Sequence, residues 1–217
     1  MAKISHDLRN ILTSAQLFTD RIEASEDPLV RRLAPKLVNS ITRAVSLCES
    51  TLAFGRAEEP APTLGMIRLH EVVADVLDSE SLSVEGASID LVNTVPQTLT
   101  VRADPEQLFR VFLNLVRNAS QAILASGASG SITVAAHQDR ENWWITVTDT
   151  GPGLSPKAKE HLFTPFQGVA RKGGSGLGLT ISHELIRGHG GTLVLKESGP
   201  DRTIFEICLP KGDGMTP

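Results

Sequence analysis

Residues 104–126 read DPEQLFRVFLNLVRNASQAILAS, and this stretch decides the fold. Leu108, Val111, Phe112, Leu115, Val116, Ala119 and Ile123 recur at three-to-four spacing and predict a helix with one apolar face. Asp104 is placed to cap its start, and Pro105 takes the first helical position, where a missing N–H costs nothing. Asn114 and Asn118 break the pattern. They stand at i, i+4 on one face of an otherwise apolar helix, and asparagine is a poor helix former, so the pair points to a polar task.

Around this helix the pattern is mixed. TLGMIRL (63–69) predicts a strand, LHEVVADVLDSE (69–80) a helix, and SIDLVNTVP (88–96) and LTVRA (99–103) two further strands. SITVAAHQ (131–138) and WWITVTDT (143–150) alternate as antiparallel strands do, joined by the polar turn DREN (139–142). A short helix near Pro156 to Phe163, a glycine-rich loop, a helix from Gly178 to Gly188, and the strands TLVLKES and TIFEICLP complete an α/β sandwich over 66–217. The final GDGMTP reads as a frayed tail.

Residues 1–56 are different. Ile4, Leu8, Ile11, Leu12, Ala15, Phe18 and Ile22 form one helical stripe, and Leu33, Leu37, Ile41, Ala44 and Cys48 another. Asp27 and Pro28 are placed to start the second helix, and Pro35 either bends it or marks its true start. Two helices rarely close a core alone, so the hairpin is expected to pair with a second copy as a four-helix bundle. Residues 57–65, rich in proline, are the linker. The fold class is therefore α+β, a helical hairpin followed by a sandwich. Charge divides at the same place: 8 basic and 6 acidic residues lie in 1–56, against 13 and 19 in 57–217.

Composition removes several functions. A net charge of −4 argues against nucleic acid as the main partner. No apolar run approaches the roughly 20 residues a bilayer crossing needs, and no secretory signal opens the chain, which reads as cytoplasmic. Cys48 and Cys208 have neither zinc nor disulfide spacing and read as buried thiols. The loop GVARKGGSGLGLTISHELIR (168–187) runs into a helix start suited to phosphate. It is no Walker A loop, because Lys172 precedes Gly173. Leu179 breaks a dinucleotide fingerprint, and Arg187 replaces the second histidine of a zinc HExxH site.

In order, NLVRNA, DTGPGL, LFTPF and GGSGLGL resemble the N box, first glycine box, F box and second glycine box of the GHKL ATP-binding family, whose members share the Bergerat fold. The resemblance covers most of 60–210. It implies that Asp149 accepts a hydrogen bond from the adenine amino group, with Gly151 and Gly153 letting the ligand approach. Asn118 is implied to hold Mg²⁺, supported by Asn114. Gly174, Gly176 and Gly178 are implied to cradle the phosphates of ATP, with Arg171 or Lys172 supplying charge, and Thr203 to assist at the adenine through water. ATP-hydrolysing members such as gyrase and Hsp90 have a glutamate at the position of Asn114. An amide is no base, which favours phosphoryl transfer over hydrolysis.

SHDLRN (5–10) resembles the H box of bacterial sensor histidine kinases. His6 is the implied phospho-acceptor. Asp7 is suited to bond one ring nitrogen and leave the other nucleophilic. Asn10, one turn on, resembles the residue that orients water on a partner's phospho-aspartate in bifunctional kinases. Ile11 stands where a proline is frequent, and Gln121 where many relatives carry a basic residue. The expected protein is an ATP- and Mg²⁺-dependent histidine kinase core, a homodimer passing phosphate to an aspartate of a response regulator receiver domain, with phosphatase activity implied by Asn10. Two alternatives stay open: a histidine phosphotransfer protein with a non-catalytic ATP-like domain, and an anti-sigma-type serine kinase. Only five residues precede His6 in a helix that the family extends toward a sensor, which leaves a membrane-bound parent protein open.

Overall fold

The computed structural model describes residues 60–165 and 176–212. The helical hairpin expected over 1–56, and with it His6, Asp7, Asn10 and Cys48, lies outside the described residues. So do linker residues 57–59, Phe166, Arg171, Lys172, Gly174 and the tail from 213.

The chain forms β1 (Gly65–Arg68), α1 (Leu69–Ser81), a 3₁₀ turn (Leu82–Val84), β2 (Ile89–Asn93), β3 (Thr100–Ala103), α2 (Pro105–Ser126), β4 (Gly130–Gln138), β5 (Asn142–Asp149), α3 (Pro156–Glu160), α4 (Gly178–Gly188), β6 (Thr192–Gly199) and β7 (Arg202–Pro210). Five strands make one sheet in the order β2-β4-β5-β7-β6, while β1 and β3 pair separately as an antiparallel ribbon. Among the described residues only the β2–β4 pair is parallel.

α2 forms where its sequence predicts. The Asp104 side chain accepts from the Gln107 N–H, Pro105 sits in the first turn, and Gly127, at φ +70°, closes the helix with its N–H on the Leu124 carbonyl. Its apolar face packs with Val73, Val76 and Leu77 of α1, Leu185 and Ile186 of α4, and the inward row of the sheet: Ile132, Val134, Trp143, Ile145, Val147, Phe205 and Ile207. Each such large side chain contributes about 1.5–3 kcal/mol on burial.

Two expectations are corrected. The short helix stops at Glu160 rather than reaching Phe163. The residues beyond it turn away to meet α4, where the Thr180 hydroxyl donates to the Phe163 carbonyl at 3.2 Å and the Phe163 ring stacks on His183 with centroids 4.7 Å apart. Cys208 is only partly buried. On β7 the inward places belong to Thr203, Phe205, Ile207 and Leu209, which leaves Cys208 on the sheet face away from the helices. Desolvation is nevertheless enough to raise its thiol pKa, with Asp139 and Glu206 adding to the shift.

Candidate functional site

Asn114 and Asn118 lie on α2, with Gly151, next to Asp149, against Ala122 at one end and Gly178 against Asn114 at the other. At one end lies the close of β5. Asp149 is the last residue of that strand and is buried at 5% exposure. Its Oδ1 accepts the Gly151 N–H at 2.8 Å, folding the chain back just after the strand. Directly across the ladder from Asp149 stands Thr203 of β7, also buried, so the carboxylate and the hydroxyl share the inward face.

The glycines after Asp149 are required by what surrounds them. A Cβ on Gly151 would stand 2.7 Å from Asp149 Oδ1 and 3.4 Å from Ala122 Cβ, so the loop lies directly on α2. Gly153 has φ +74°, and a Cβ there would come within 2.1 Å of the Gly199 carbonyl. Beyond it, the Leu154 N–H donates to Ser198 Oγ and Lys159 Nζ donates to the Ser198 carbonyl, fixing this loop to the end of β6.

At the other end lies the start of α4. Asn114 Nδ2 donates to the Gly178 carbonyl and to Ser182 Oγ, each at 3.2 Å, and a Cβ on Gly178 would touch the Asn114 carboxamide at 3.4 Å. Ser182 is fully buried. The Asn114 amide is thus committed to holding the first turn of α4 against α2, a donor's task that a carboxylate could not perform.

Asn118 sits between the two ends. It is half-buried, and among the described residues no hydrogen bond engages its carboxamide. Asn114, Asn118 and Ala122 follow one another at four-residue steps, so α2 spaces the α4 start from the Asp149 loop by about 12 Å, with Asn118 midway. Gly176, at φ +72°, is the other described glycine of the second glycine box.

This arrangement suits an adenine nucleotide. A buried carboxylate beside a hydroxyl offers acceptors to an amino group, glycines allow close approach, and the first N–H groups of α4, which a helix start leaves without intrahelical partners, favour an anion. Among the described residues no cluster of three or more His, Cys, Asp or Glu could hold a metal. A hard cation here would draw on the Asn118 amide oxygen and the phosphate oxygens themselves.

Some participants carry little signal in the sequence. Ser182 and His183, which join α4 to Asn114 and Phe163, look like ordinary polar positions of an amphipathic helix. His189 is more legible afterwards than before: a buried histidine at a helix end, followed by Gly190 and Gly191, is placed to cap carbonyls.

Residues 103–213 match the histidine kinase-, DNA gyrase B-, and HSP90-like ATPase family, and residues 1–60 match the His Kinase A (phospho-acceptor) domain. The chain belongs to this ATPase family, and within it to the catalytic cores of sensor histidine kinases. Similar proteins include the sensor histidine kinase ZraS of Salmonella typhi, 33% identical over 96% of this chain and 44% of ZraS. The sensor-like histidine kinase SenX3 of Mycobacterium bovis is 27% identical over 97% of this chain and 53% of SenX3. The chain therefore spans about half the length of these relatives. Among solved structures, full-length ShkA in complex with AMPPNP superposes with a TM-score of 0.77 at 25% identity, over 96% of this chain and 45% of that one. ThkA in complex with the response regulator protein TrrA gives 0.69 at 24% identity, over 99% and 62%, and supports the fold. No helix among the described residues is long and apolar enough to cross a membrane.

Proposed function

We propose that the chain is the core of a protein-histidine kinase in two-component signalling. ATP binds with its adenine at Asp149 and Thr203 and its phosphates toward the glycine loop and Gly178, where Gly174, Gly176 and Lys172 complete the cradle. Mg²⁺ held by Asn118 would neutralise phosphate charge. A ring nitrogen of His6 attacks the γ-phosphorus, the bond to the β-phosphate oxygen breaks, and ADP leaves. Asp7 bonds the other ring nitrogen and so keeps the attacking one unprotonated. The phosphoryl group then passes to an aspartate carboxylate of a response regulator, and Asn10 orients water on that phospho-aspartate, whose hydrolysis to inorganic phosphate and free carboxylate is the opposing phosphatase activity. The hairpin of 1–56 makes the chain a homodimer, working on the cytoplasmic side. ThkA, a histidine kinase of the same fold, forms a complex with the response regulator protein TrrA, which supports a partner of that class.

The observation that carries the nucleotide half is the buried Asp149–Thr203 pair facing a glycine-lined loop. Asn114 favours transfer over hydrolysis, because an amide occupied as a donor to α4 cannot serve as a base for water. Calorimetric titration with ATP, with and without Mg²⁺, tests this half. Binding tightened by Mg²⁺ supports the kinase, whereas no binding returns the chain to a non-enzymatic phosphotransfer protein. Label stable to acid would favour the serine kinase.

A further inference from the structure

The end of the linker is fastened. The Pro60 carbonyl accepts from Gln107 Nε2 at 2.9 Å, and the Thr63 N–H donates to Asp104 Oδ2 at 2.8 Å. Gln107 is 6% exposed although it lies in the first turn of α2, so its amide is spent on the linker. Pro62 lies against the end of α4, its Cδ 3.7 Å from where a Cβ on Gly188 would stand.

The anchor is itself held from a third side. The Asp104 N–H donates to His189 Nε2 at 3.0 Å, while His189 Nδ1 lies 2.8 Å from the Leu185 carbonyl. A carbonyl partner requires the proton on Nδ1, and an N–H partner requires the lone pair on Nε2, so both ring nitrogens are satisfied by one neutral tautomer. The start of α2, the end of α4 and the linker thus meet at one node. The same two helices carry Asn114, Asn118 and Gly178 elsewhere along their lengths.

We propose that Gln107, Asp104 and His189 are positioning residues that latch the linker to the ATP-binding domain and so set the reach between bound ATP and His6. This rests on the kinase reading above. Of linker residues 57–65, the latch leaves three ahead of Pro60; undone, it leaves eight ahead of β1. Effective concentration falls as about the −3/2 power of tether length, so releasing the latch lowers the rate of transfer to His6 by about four-fold.

Two variants of the full chain test this. Gln107→Leu removes the donor to Pro60, and Thr63→Pro removes the N–H to Asp104 while leaving the α2 cap in place. Both are expected to keep KM for ATP within about two-fold, lower kcat for labelling of His6 by about four-fold, and quicken amide exchange across 57–64. Exchange unchanged in both variants overturns the latch. Quickened exchange with kcat unaltered, or a raised KM at constant kcat, overturns its positioning role. If the unaltered chain takes no label on His6, the kinase reading and with it the positioning role fall, while exchange still decides whether the latch exists.

Discussion

Asp149 and Thr203 stand opposite each other on β5 and β7, both buried, and Asp149 is held in place by the Gly151 N–H. Asparagine at 149 keeps an acceptor for Gly151 but loses the charge. Hydrogen bonds to charged groups contribute about 1.5–3 kcal/mol, so Asp149→Asn is expected to weaken ATP about 10- to 100-fold with little change in melting temperature. Thr203→Val, which removes only a hydroxyl, is expected to cost about five-fold. Nucleotide titration with parallel melting curves measures both.

Gly153→Ala strains the backbone at φ +74° and drives a methyl group toward the Gly199 carbonyl. A loss of about 2–3 kcal/mol in stability is expected, several degrees in Tm, together with weaker nucleotide binding because the loop that follows Asp149 must shift. Thermal denaturation checks the first part and titration the second.

The two asparagines of α2 are expected to behave differently. Asn114→Asp sets a carboxylate against the Gly178 carbonyl and costs about 2–3 kcal/mol in stability, visible in chemical denaturation. Asn118→Ala is expected to leave stability within about 0.5 kcal/mol and to abolish the tightening of ATP by Mg²⁺. Equal destabilisation by both would count against the division of roles.

Asp104 supplies a pH dependence. Burial alone would raise its pKa, but N–H donors from Gln107, Thr63 and Glu106 outweigh that and hold it below the ordinary value of 3.8. A depressed carboxylate stabilises fully above its unfolded pKa and loses that contribution as pH falls through the lower folded value. Asp104→Asn caps the helix equally well without titrating. Melting curves from pH 6 down to about pH 3 are expected to fall less steeply for Asp104→Asn than for the unaltered protein.

Local signals carried much of this fold. The cap, proline and apolar period of α2 are all written within 23 residues, and Gly178 and Gly188 mark both ends of α4. What the sequence did not reveal depends on contacts made at long range. Nothing near β2 says that it pairs in parallel with β4, and the outward placing of Cys208 depends on which face the helices cover. Asn114 could be recognised as polar and misplaced in an apolar helix, but its partners lie 64 and 68 residues away. The bond from Asp104 to His189 spans 85 residues and leaves no periodic trace.

The central claim is that phosphate from ATP reaches His6. The full chain incubated with γ-labelled ATP and Mg²⁺ is expected to take up label that is stable in base and labile in acid. The label should be lost in His6→Ala and strongly reduced in Asp149→Asn. Label that persists in His6→Ala would contradict the account.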